Sequence, residues 1–176
     1  LDYTGTALNR GSKGVLMGLG DSVRDLPQEF RLPEGTSLPE GIDAVQVFCP
    51  GCLVLQGRPY AEDREQAARV AAHPAFAGWP MLVLADEASI ASSPEQFLWA
   101  TFTRFEPGGD IHPAGREIHR HHLAYSAPIL FDARMKPHYP TDVRPARETV
   151  DLVDRRWQEY FPAGMPHDPR PSGEPV

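Results

Sequence analysis

Apolar runs and one-sided apolar stripes divide this chain into short elements. Within residues 1–20, Val15-Leu16-Met17 is the one apolar cluster among five glycines. It predicts a strand that follows a short strand or loop and a glycine turn. Residues 31–41 (RLPEGTSLPEG) are turn-rich and predict a surface connection. Residues 44–49 and 53–56 predict two strands around Pro50-Gly51. Proline fixes φ and glycine tolerates φ > 0, so the pair suits a tight turn or a break between strands.

Helical patterning follows over residues 61–73. Ala67, Val70, Ala71 and Pro74 lie on one side, and Glu62, Asp63, Arg64, Glu65 and Arg69 mainly on the other. The continuous run 81–84 predicts a strand covered on both faces. Ser93-Pro94-Glu95-Gln96 then predicts a helix start, with Ser93 as cap, Pro94 at the first position and Gln96 closing a capping box. Leu98, Thr101, Phe102 and Phe105 fall on one face of that helix, and the Trp99 ring is expected to supply a large buried area. Residues 129–131 predict another short buried strand. A last helix starts near Pro145, with Val150, Val153, Trp157 and Phe161 as its apolar stripe.

This alternation predicts an α/β fold: a small sandwich with a mixed, largely parallel sheet flanked by helices. Its expected extent is a single domain over residues 1–161. Residues 162–176 carry five prolines and predict an extended or disordered tail. A length of 176 residues with 41% hydrophobic content suits one domain with a core. Nineteen prolines and fifteen glycines imply many loops. A net charge of −7 argues against a general grip on nucleic acid, which needs clustered cations. No apolar run approaches the roughly 20 residues that cross a bilayer, and no charged-then-apolar leader is present. The expectation is a soluble, cytoplasmic protein, and a start at Leu1 rather than Met fits processing or excision from something longer.

Three features carry candidate chemistry. Five of the seven histidines fall between His112 and His138. Within that stretch His119, His121 and His122 are candidate metal ligands, since His-x-His in an extended segment puts two rings on one face. No Glu-x-x-His or spaced carboxylate accompanies them, and Arg116 and Arg120 add positive charge. The same residues alternatively make a loop facing an anionic cofactor or carboxylate, or a solvated basic loop. Cys49-Pro50-Gly51-Cys52 has the Cys-x-x-Cys spacing, but strand-like Leu53-Val54-Leu55 follows where a redox dithiol of the thioredoxin kind usually has a helix start. Reduced, partly buried thiols are expected. Gly11-Ser12-Lys13-Gly14 lacks the Gly-Lys-Ser/Thr order of a phosphate loop, though amides beside Arg10 and Lys13 can touch a phosphate or a partner. No Ser-His-Asp or Gly-x-Ser-x-Gly arrangement is visible.

Several landmarks in order resemble the C-terminal domain of the UbiD-type decarboxylases. The strand 81–84 runs into Asp86-Glu87, then come Phe97-Leu98-Trp99-Ala100 and Thr103-Arg104-Phe105-Glu106-Pro107, with Asp110 shortly after. Asp132-Ala133-Arg134-Met135-Lys136 is similar to the family's charged strand end, and Val153-Asp154-Arg155-Arg156-Trp157 to its terminal helix. The resemblance covers residues 42–161. Asp86, Glu87, Trp99, Arg104, Asp132 and Trp157 form its structural signature, with Asp86 and Glu87 placed to cap amides or pair with Arg104.

The resemblance implies a carboxy-lyase acting on aromatic or unsaturated acids with prenylated FMN and a divalent metal. The family's acid–base, metal and flavin-phosphate residues belong to another domain, and none maps onto this chain. No catalytic residue is therefore expected here, and the isolated chain is expected to be inactive. Lys13, Arg116 and Arg120 are candidate cofactor contacts. The implied role is assembly, domain closure and an active-site wall, beside a UbiD-like flavin-binding domain or subunit in a homo- or hetero-oligomer. The alternatives are a non-enzymatic scaffold subunit of the same fold, and a small metal-binding protein that uses the histidine-rich loop.

Overall fold

The computed structural model describes residues 21, 25–140 and 145–165. The strand expected around 15–17, Lys13 and the tail from 166 onward lie outside the described residues. Contacts divide the chain after Tyr139 into two units.

In the first unit, β1 (Ala44–Cys49), β2 (Cys52–Gln56), β3 (Met81–Ala85), β4 (Ile111–His119) and β5 (His122–Asp132) form a sheet of order β1-β2-β3-β5-β4. Strands β2, β3 and β5 run parallel, while β1 pairs antiparallel with β2 and β4 antiparallel with β5. The sheet is mixed as expected, but not largely parallel. Both outer strands are joined to their neighbours by two-residue turns, and such short connections force antiparallel pairing.

Burial explains the apolar runs at the centre. Leu53, Leu55, Leu82, Leu84 and Leu130 point to one face and pack with Ala67, Val70, Ala71, Phe76 and Trp79. Cys52, Val54, Val83 and Ala85 point to the other and meet Ile90, Phe97, Ala100 and Ala133. This period-two alternation is hidden in sequence because both faces are apolar. Each buried leucine contributes about 1.5–3 kcal/mol.

Helix α1 spans Gln66–Ala71, shorter than the patterned 61–73. The preceding backbone is diverted into turns: the Pro59 carbonyl accepts from Glu62 and Asp63, and the Asp63 carbonyl accepts from Arg134. Helix α2 spans Pro94–Arg104, and Ser93 Oγ accepts from the Gln96 amide at 3.2 Å. The buried face of α2 is Phe97, Ala100 and Thr101, whereas Leu98 and Phe102 are exposed and Trp99 is 64% exposed. The expected face and the expected Trp99 anchor are therefore corrected. Phe97 wins because its ring stacks on Phe48 of β1, 3.6 Å between centroids and 6° from parallel.

The segment 115–126, expected as a loop, is the distal half of the β4–β5 hairpin. Arg120 (φ 49°) and His121 (φ 67°) form its turn. Two successive positive φ angles match the twist that a two-residue hairpin turn requires.

In the second unit, α3 (Arg147–Arg155) and α4 (Trp157–Tyr160) break at Arg156, and neither buries a residue. The Trp157 ring lies 4.5 Å from Phe161, and its Nε1 donates to the Met165 carbonyl at 3.1 Å.

Candidate functional site

Charge concentrates where β3 and β5 end. In open α/β sheets the carboxyl ends of parallel strands are where ligands approach, so this edge is the place to look. β5 ends at Asp132, and Arg134 and Lys136 follow at alternate positions, all three buried. Arg134 is 0% exposed. Its Nε and Nη2 donate to the two Asp132 oxygens at 2.9 and 2.7 Å. Its Nη1 faces the carbonyls of Arg58 (3.0 Å) and Asp63 (2.8 Å) and Oε1 of Gln66 (3.2 Å). Lys136 Nζ meets three acceptors: the carbonyls of Arg104 (2.9 Å) and Asp132 (2.6 Å), and Asp110 Oδ2 (2.7 Å). The Tyr60 ring covers both cations, at 5.2 Å from the guanidinium carbon and 5.5 Å from the ammonium.

Neighbouring groups complete the cluster. Asp86 Oδ2 accepts from the Met135 amide at 2.8 Å and from Arg104 Nη1 at 3.3 Å, which realises the expected cap and ion pair together. Asp110 Oδ2 also accepts from the Glu106 amide at 2.7 Å. Gln66 donates to the Gly41 carbonyl at 2.8 Å and accepts from the Arg58 amide at 3.0 Å. Gly57 leaves the room for this: a Cβ there would lie 2.6 Å from Gln66 Oε1 and 2.7 Å from Leu84 Cδ1.

Removing ions from water costs several kcal/mol each, and only dense pairing offsets it. Here the three Lys136 donors meet three acceptors, and Arg134 places Nε, Nη1 and Nη2 each against at least one oxygen. The cluster holds the ends of β3 and β5 to α1 and to the exit of α2. Its rim carries the titratable groups: burial pushes the His112 imidazole below its ordinary value, partly offset by Asp132 and Asp110. Burial likewise raises the Tyr139 hydroxyl, with Asp110 adding to it.

The other expected residues are elsewhere. Glu87 accepts from Ser89 Oγ at 3.2 Å, Trp99 lies on the open face of α2, and Trp157 lies in the second unit. His119 and His122 face each other across the hairpin turn that contains Arg120 and His121. Among the described residues, no group of three His, Cys, Asp or Glu is arranged to hold a metal ion. Arg116 donates to the Ile111 carbonyl at 3.1 Å and lies 5.8 Å from the Tyr125 ring centre. Arg116 and Ile118 pair with Tyr125 and Leu123, giving an apolar strip on which Ile118 is 79% and Leu123 59% exposed. Arg134 and Lys136 were missed as site residues. The signal was present in Asp-x-Arg-x-Lys after an apolar run, a spacing that aims three charges the same way along extended chain.

No protein-family model matches the chain. It is 44% identical over 167 residues to a protein of Chlamydia caviae named only as uncharacterized, and 40% identical over 163 residues to a protein of Chlamydia pneumoniae named as a 4-hydroxybenzoate decarboxylase subunit. Each match takes in 92% of this chain and 27% of the relative, so the chain spans about a quarter of the length of these relatives. Among solved structures, vanillic acid decarboxylase of Sedimentibacter hydroxybenzoicus in its open form aligns with a TM-score of 0.42 and 17% identity, over 70% of this chain and 30% of that one.

Proposed function

We propose that this chain is a C-terminal domain or subunit of a UbiD-like decarboxylase for aromatic acids of the 4-hydroxybenzoate kind, working in the cytoplasm. The carrying observation is the 40% identity to a 4-hydroxybenzoate decarboxylase subunit through 92% of the chain. In this reading the prenylated FMN and its divalent metal are held by a flavin-binding domain or partner subunit. This reading is supported by Arg134 and Lys136 being turned towards oxygens of this chain, and by the lack, among the described residues, of three His, Cys, Asp or Glu arranged to hold a metal ion. This chain supplies a rigid strand-end lock and open apolar surfaces on α2 and the β4–β5 hairpin, which suit domain docking and a wall that excludes water from a neighbouring site.

Co-expression with a UbiD-like flavin domain tests the reading. The expected result is a co-purifying complex with flavin absorbance and release of CO2 from 4-hydroxybenzoate, and none from this chain alone. Decarboxylation by the pure isolated chain, or failure to bind any flavin domain, would count against it.

A further inference from the structure

Cys49 and Cys52 stand directly opposite each other at the end of the β1–β2 hairpin. Cα atoms of directly paired antiparallel residues are about 4.5–5.5 Å apart. A disulfide needs roughly 4.4–6.8 Å, a range that takes in such a pairing. Both thiols are free and within hydrogen-bonding reach of each other. The turn between them is fixed from outside: Gly51, at φ +81°, donates to the Pro27 carbonyl at 2.8 Å and accepts from the Met81 amide at 3.1 Å. Access divides the pair, because Cys49 is exposed and Cys52 buried.

We propose that this pair is a thiol–disulfide modification site whose co-reactant is a low-molecular-weight disulfide, with Cys49 as the attacking thiol and Cys52 as the resolving one. The Cys49 thiolate attacks one sulfur of the small disulfide, forming a mixed disulfide and expelling a small thiolate. Cys52 then loses its proton and attacks Cys49 Sγ, closing the Cys49–Cys52 bond and expelling the second small thiolate. The two cysteine thiols are oxidised by two electrons, the small disulfide is reduced to two thiols, and the cysteine protons end on them. The closed form fastens the edge strand β1 to β2 beside the Phe48–Phe97 stack. None of this depends on the decarboxylase reading.

The second step needs the buried Cys52 as thiolate. Burial, followed by the neighbouring Cys49, pushes the Cys52 thiol up to about 12. Burial remains when Cys49 is in the mixed disulfide and thiolate does the attacking, so ring closure should accelerate as pH rises from neutral to mildly alkaline solution. The test is reduced full chain incubated with glutathione disulfide, quenched with an alkylating reagent and weighed by intact-mass spectrometry. The expected end product has lost two hydrogens, carries no glutathione and takes no alkyl group. Cys52→Ser should stop at one glutathione on Cys49. Cys49→Ser, altered at an exposed position and so expected to fold, should react at least tenfold more slowly than the parent chain. A parent chain that keeps glutathione permanently, forms only intermolecular disulfides, or reacts no faster than Cys49→Ser would overturn the assignment.

Discussion

The two halves of β5 differ more than most separate elements do. Residues 122–127 are mostly open to solvent, whereas Leu130, Phe131 and Asp132 are buried, and Arg134 and Lys136 continue the burial beyond the strand. The distal half pairs only with β4, and the proximal half lies between β4 and β3. Beside Leu130 and Phe131 the buried half carries the charge of Asp132, while the exposed half carries Leu123 and Tyr125, so each half holds exceptions to a simple inside–outside rule. Polar groups are tolerated inside when their partners are built around them, and apolar groups outside mark surface available to something else.

The largest expected effect comes from breaking the buried end. Arg134→Met leaves Asp132 buried without its cation and should lower unfolding free energy by about 3–5 kcal/mol in urea titration. A double change, Asp132→Leu with Arg134→Met, should recover much of that loss. If the double variant is no more stable than Arg134→Met alone, stranded charge is not the cause.

Helix α2 extends the comparison to its two faces. Phe97→Ala removes the ring stacked on Phe48 and should cost about 3 kcal/mol. Trp99→Ala, on the open face, should stay within about 0.5 kcal/mol and act instead on partner binding. Equal losses would show that the exposed face is not spare.

A smaller effect concerns His112, where β4 meets the cluster. Its folded value lies below the ordinary 6.5, so the unfolded chain takes up the proton first as pH falls. Its contribution is intact above 6.5 and declines as pH drops from there towards the folded value. His112→Gln should flatten the urea midpoint across that acid window, and an unchanged slope would remove His112 as the source. Smallest of all, Ile118→Thr on the open strip should shift stability by less than about 0.5 kcal/mol. A larger loss would mean that the distal hairpin is packed in solution.

The parts of the fold legible in sequence were those with local causes. The Pro50-Gly51 turn, the Ser93 cap and the central strands all follow from turn chemistry, capping or continuous apolar runs. The face of α2 was misread because Leu98, Trp99 and Phe102 outnumber Phe97 in apolar mass, and nothing local says that Phe48 waits across the sheet. The β4–β5 hairpin hid behind an Arg-His turn without glycine or asparagine, and behind histidines that invite a metal reading. In the candidate site, Asp86 with Arg104 was legible because a charge at a strand end needs a partner. Apart from Asp132, the acceptors of Arg134 and Lys136 lie tens of residues away, on Arg58, Asp63, Gln66, Arg104 and Asp110, and only the folded chain brings them together.

Lys136 gives the molecule a built-in gauge. The chain has two lysines, Lys13 and Lys136, and the second is 3% exposed with its ammonium facing three oxygens. Amine acylation needs a free, deprotonated nitrogen, so in native solution this site should react only when the strand end opens. The rate at which Lys136 is acylated therefore reports how much of the time the lock stands open.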